Sequence, residues 1–154
     1  MYTIRALFTN YPLVCAAVGW FVAQICKVFT GMFRERSFDV LTALFGTGGM
    51  PSSHSSAVCA LCMASAIQYG LSSFQFAVTL VLAFIVMRDA SGVRRSAGEQ
   101  AKIINRMIKT LSEGGTIDFN SDIKEIIGHT PFQVFIGAAI GAVIPFLMML
   151  VMPV

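Results

Sequence analysis

A chain of 154 residues is one domain's worth, and at 56% hydrophobic and 12% charged it departs from soluble domains, which carry about 25% charged residues. Its net charge of +3 gives no reason to expect a nucleic-acid partner. Uncharged runs cover residues 6–26, 40–87 and 126–154. A helix crosses a bilayer with roughly 20 apolar residues. The first run therefore holds one span, the second holds two around a turn at Gly70-Leu71-Ser72-Ser73, and the third holds one. The expected fold is all-α: a polytopic membrane helix bundle of about four transmembrane helices, forming a single membrane domain over residues 1–154.

The first span is expected over residues 11–26, with Trp20 inside it and Lys27 at its exit. A single basic residue, Arg5, precedes it, and no cleavage site is evident, so the segment is expected to be retained. Residues 27–39 are charged. Residues 40–45 are too few to span and read as a re-entrant or interfacial piece. The second and third spans are expected over 55–69 and 74–87. Cys15, Cys26, Cys59 and Cys62 fall in or at the ends of these spans. The Cys59-x-x-Cys62 pair has no partner ligands nearby in sequence, so these cysteines read as small buried residues rather than metal or redox groups.

Residues 94–111 follow as an amphipathic helix: Ala97, Ala101, Ile104, Ile108 and Leu111 recur at spacings of 4, 3, 4 and 3, the period of one helix face. Arg94, Arg95, Lys102, Arg106 and Lys109 make it basic, which suits an anionic membrane surface. Gly114-Gly115 ends it, and residues 122–127 allow another helical turn or two. The last span is expected over 132–153. Its Gly137-x-x-x-Gly141 is a close-packing surface, used either within the chain or in a homodimer, and Pro145 is a kink site.

Four spans would leave residues 27–53 and 88–131 on one side, with ten of the eleven Lys and Arg residues, all but Arg5. By the positive-inside rule that side is cytoplasmic and both termini lie outside.

Within the long uncharged run, polar side chains cluster only at Gly48-Gly49-Met50-Pro51-Ser52-Ser53-His54-Ser55-Ser56. Glycines allow a turn, proline suits a first helical turn, and Ser52 or Ser53 can cap the helix that follows. His54 then lies in that first turn, where unpaired N–H groups and the helix dipole favour an anion. A turn with a capping serine and an incidental histidine would carry the same residues. The second histidine, His129, also stands before an apolar helix on the same side. Two histidines facing one phosphate have a natural division of labour, in which one attacks phosphorus and the other protonates the leaving oxygen.

At these residues the chain resembles a divergent branch of the type 2 phosphatidic acid phosphatase and vanadium haloperoxidase superfamily. That superfamily is read from K-x6-R-P, P-S-G-H and S-R-x5-H-x3-D. Lys27 and Arg34 keep the first spacing, with Glu35 in the place of proline. Pro51-Ser52-Ser53-His54 matches the second motif, with Ser53 for glycine. His129-Thr130-Pro131-Phe132-Gln133 matches the end of the third, with Gln133 in the aspartate's place. Ile123 stands where that motif has arginine, and Arg94 or Arg95 is the substitute from across an inserted segment.

The resemblance implies a membrane lipid-phosphate phosphatase working through a phosphohistidine. His129 would be the nucleophile, His54 the general acid and Gln133 the group that orients His129. Lys27, Arg34, Ser52, Ser53, and Arg94 or Arg95 would hold the phosphate. It implies no metal ion and no cofactor, with vanadate as a phosphate mimic. The implied setting is a bacterial cell membrane, with the bilayer and a phosphorylated lipid as partners. A non-catalytic lipid-phosphate binder or carrier that keeps the pocket is the alternative.

Overall fold

Asn10 starts the bundle, its Oδ1 accepting the Leu13 N–H at 3.1 Å as a helix cap does. The computed structural model describes residues 2–34, 49–113 and 128–153, and every regular element among them is a helix. In chain order these are α1 (Tyr2–Thr9), α2 (Tyr11–Arg34), α3 (Ser53–Tyr69), α4 (Phe74–Ser91), α5 (Val93–Glu113) and α6 (Pro131–Met148). The expected piece over 40–45 and the turns over 122–127 lie outside the described residues.

α3 is the centre, packed against α2, α4 and α6. The reason is the size of its side chains. Ser52 at its N-cap and then Ser56, Ala60 and Ala64 recur every fourth residue, and all four are buried. A stripe of small residues lets neighbouring backbones approach closely. From α2, Gly19 fits where a Cβ would stand 3.0 Å from that of Ala60, and the Ser56 hydroxyl donates to the Gly19 carbonyl at 2.8 Å. From α6, a Cβ on Gly137 would overlap the Ser52 carbonyl oxygen, and one on Gly141 that of Ser56. Of the two uses expected for this glycine surface, the structure displays the one within the chain. At the far end the Tyr11 hydroxyl donates to the Pro145 carbonyl at 2.5 Å.

The apolar side chains that α3 does not need point outward. Phe21 and Phe29 on α2, Phe84 and Ile85 on α4, and Phe135 and Phe146 on α6 are all more than half exposed. Such a surface is suited to lipid rather than water. Stretches long and apolar enough to cross a membrane lie within Tyr11–Gly31, Phe74–Leu111 and Pro131–Met148. Among the described residues these three helices are long and apolar enough to cross, and α3, with 17 residues, is not one of them.

Helix ends differ from the expected ones where no residue stops the chain. α2 runs past Cys26 to Arg34, because Gly31 is the only weak helix former in the way and one glycine is tolerated. Lys27 is therefore within a helix and buried, not at an exit. α4 continues to Ser91 and ends at Gly92. α6 stops at Met148, followed by turns, soon after Pro145 has removed one helical N–H.

Candidate functional site

The polar residues singled out in the sequence gather at the end of the bundle where α3 and α6 begin. Gly49 opens the turn with φ +81°, a left-handed conformation that side chains rarely tolerate. It also leaves room for a neighbour, since the Lys27 stem carbons come within 3.0–3.6 Å of where its Cβ would stand. Lys27 thereby lies flat under the turn and is 8% exposed. The Met50 carbonyl accepts from the Thr30 hydroxyl of α2, which ties the turn down a second time.

Ser52, not Ser53, is the N-cap of α3. Its Oγ accepts the Ser55 N–H at 3.4 Å and the Ser55 hydroxyl at 2.9 Å. Ser53 is buried one residue later, and His54, the second residue of α3, is exposed. The N–H groups of this first turn point out of the helix end, where its dipole is positive.

α6 is prepared in the same way. Thr130 caps it, with Thr130 Oγ1 accepting the Gln133 N–H at 3.4 Å and Gln133 Oε1 accepting the Thr130 N–H at 2.9 Å. This is a capping box, in which each partner satisfies a terminal N–H of the other. His129 stands just before it and donates its backbone N–H to the Ala90 carbonyl of α4 at 3.1 Å. Its ring is partly buried, and Nδ1 has no hydrogen-bond partner among the described residues. Burial is the main cause that pushes the His129 pKa below the ordinary histidine value. The nearby charges of Lys27 and His54 push it the same way, while the Gln133 side chain and the Gly49 backbone oppose the shift. Burial and the neighbouring positive charges thus both disfavour the protonated ring.

Lys27, Ser52, Ser53, His54, His129 and Gln133 are accordingly brought together. Arg95 is engaged elsewhere, its Nε 3.2 Å from Glu99 Oε1 on an exposed face of α5. The side chains of Arg34 and Arg94 lie outside the described residues. Gln24, 4% exposed and one turn before Lys27 on α2, is a buried polar residue that the motifs do not contain. Its signal was a glutamine inside an otherwise apolar span, where a polar group is costly unless it has a role.

Two helix N-termini, a buried lysine and two histidines thus share one end of the bundle, and helix N-termini of this kind favour an anion. A model of the Divergent PAP2 family matches residues 8–144, a range that includes all of these groups. The chain belongs to this family. Within it, the membrane protein YuiD of Bacillus subtilis (strain 168) is 39% identical over 145 residues, covering 88% of this chain and 91% of that one. No solved structure matches. Family and outer surface together make this an integral membrane protein, and the family suggests a phosphatase-related function.

Proposed function

We propose that this protein is a lipid-phosphate phosphatase whose nucleophile is His129. The observation that carries the reading is the joining of the first turns of α3 and α6 by the Ser52 N–H to Gln133 carbonyl bond, which brings His54 and His129 to the end of the bundle where Lys27 lies buried under Gly49. A neutral ring nitrogen attacks phosphorus while the bond from phosphorus to the lipid oxygen breaks, and His54 gives the departing oxygen its proton. Water then attacks the phosphohistidine with His54 as base, which releases inorganic phosphate and restores both rings. Lys27 and the N–H groups of the first turn of α3 neutralise the non-bridging oxygens, where charge must be stabilised. By resemblance Arg34 and either Arg94 or Arg95 assist, and the pairing of Arg95 with Glu99 favours Arg94. The Gln133 carbonyl, anchored by the Thr130 N–H, keeps a second lone pair for the imidazole. The chemistry requires no metal ion and no cofactor, and vanadate would bind as a phosphate mimic.

The decisive assay is hydrolysis of a panel of lipid monophosphates and diphosphates by the purified protein, with and without vanadate. Phosphate release that vanadate stops and His129→Ala abolishes supports the reading. Release equal in wild type and His129→Ala contradicts it.

One observation favours a second reading, a lipid-phosphate binder without turnover. Gln133 shares its side-chain carbonyl with the capping box and brings no charge behind His129. Lipid-phosphate binding that depends on Lys27, without hydrolysis, would select it.

For topology we favour four crossings, with α3 bridging a locally thinner or protein-lined path. Ten of the eleven basic residues would then share the cytoplasmic side with the site, and both termini would lie outside. Given the bacterial relative, the setting is a bacterial cell membrane. A homodimer would meet through a face other than Gly137 and Gly141, which are buried against α3.

A further inference from the structure

α5 stands apart from the rest of the bundle. It follows the end of α4 at Gly92, whose N–H donates to the Arg88 carbonyl at 2.9 Å, and among the described helices α4 is its sole neighbour. Its two faces are sorted by chemistry. At about 3.6 residues per turn, Val93, Ala97, Ile104, Met107 and Leu111 share one side, and Arg95, Lys102, Arg106 and Lys109 project from the other. The apolar stripe is open, with Ile104 43%, Met107 61% and Leu111 45% exposed. Glu99 is the one acid among residues 93–111.

Position and charge together indicate what covers this stripe. The apolar helix before it is long enough to cross a bilayer, so α5 starts at interface height. An amphipathic helix there sinks its apolar face to the headgroup boundary, and its cations then meet anionic headgroups. A second copy of α5 would cover the stripe but bring no anionic group to the basic side opposite it.

We propose that α5 docks on an anionic lipid surface and, through the end of α4, holds His129 in place. The mechanical link is short. Ala90, buried two residues before Gly92, accepts the His129 N–H at 3.1 Å. Where the end of α4 goes, the acceptor of that bond goes too. Anionic lipid thereby regulates the proposed phosphate site, and only this consequence rests on the phosphatase reading.

The test is amide hydrogen exchange of the full-length protein in nanodiscs of phosphatidylcholine, and in nanodiscs of a phosphatidylcholine–phosphatidylglycerol mixture. The amides of α5 and the amide of His129 should both exchange more slowly in the mixture. The double variant Lys102→Glu/Arg106→Glu should lose both effects while the α2 and α3 amides stay protected, which reports an intact fold. Equal exchange of α5 in the two discs overturns the docking. Slower exchange of α5 with no change at His129 overturns the coupling. Cross-links between the α5 stripes of two copies, formed at the expense of the slowing, would assign the stripe to a second copy and overturn the lipid. No turnover is needed for any of these readings, so a failed phosphatase assay leaves them intact.

Discussion

The backbone N–H of Ser52 donates to the backbone carbonyl of Gln133 at 3.2 Å, and this bond joins the first turns of α3 and α6. His54 lies two residues after Ser52, and His129 lies four before Gln133. One short link between helix ends thus brings both histidines to one end of the bundle. It also places two positive helix ends side by side, an arrangement that costs free energy unless an anion or solvent answers it. The close approach depends on Gly137, whose Cβ would otherwise occupy the place of the Ser52 carbonyl oxygen.

Gly141→Val should therefore destabilise the protein by about 1–3 kcal/mol or more, because the added carbons overlap backbone rather than a movable side chain. Ala139→Val, on an exposed position of the same helix, should leave the unfolding midpoint nearly unchanged. Thermal unfolding in detergent measures both, and equal midpoints for the two variants would contradict the packing.

Acidification should act on His129 late. An unfolded histidine titrates near about 6.5, and burial with the charges of Lys27 and His54 lowers the folded value. Between those two values the unfolded chain holds the extra proton, so stability falls as the pH falls through this window. If His129 is the nucleophile, phosphate release needs the neutral ring and should persist below the ordinary histidine midpoint. Lys27→Met removes one of the depressing charges and should move the His129 midpoint upward in an NMR titration. An unchanged midpoint would mean that the ammonium does not face the ring.

Gln133 offers a sharper chemical test. Gln133→Glu keeps an oxygen in reach of the Thr130 N–H and adds the charge that a developing imidazolium lacks. It should raise both the His129 midpoint and the rate of phosphate release. Gln133→Ala breaks the capping box and should cost about 0.5–2 kcal/mol of stability. Loss of activity in the Glu variant, with its stability kept, would show that the negative charge is unwelcome and support the binder.

The membrane class, the order of the helices and the two histidine positions were legible because apolar runs and capping residues are local signals. α3 began within two residues of its expected start because Pro51 and Ser52 mark it chemically. The end of α2 was misread because a lone lysine looks like a membrane exit, although its long stem can lie buried under a glycine turn. The role of Gln133 was only half read. Thr130-x-x-Gln133 is a capping-box pattern visible in the sequence, whereas the aspartate motif shows only the charge that Gln133 lacks. The Ala90 carbonyl could not be found this way, since any residue can supply a backbone acceptor.

If His54 is the acid, its loss should depend on the leaving group. His54→Ala should slow hydrolysis of an alkyl phosphate by roughly 10²–10⁴-fold, and that of a nitrophenyl phosphate far less. Equal slowing of both substrates would assign His54 to binding instead.

Topology can be read by labelling. A cysteine introduced by Ser112→Cys, in the last turn of α5, should resist an impermeant thiol reagent in intact cells and react after permeabilisation. Labelling from outside would invert the proposed orientation.

The most direct measurement of the central claim is to trap the intermediate. The protein is mixed with a radiolabelled lipid phosphate, quenched in alkali, which spares phosphohistidine, and mapped by peptide. Label on the peptide carrying His129, absent from His129→Ala, is the result expected if that imidazole is the nucleophile. Phosphate released with no label on the protein, or label that survives in His129→Ala, would contradict it.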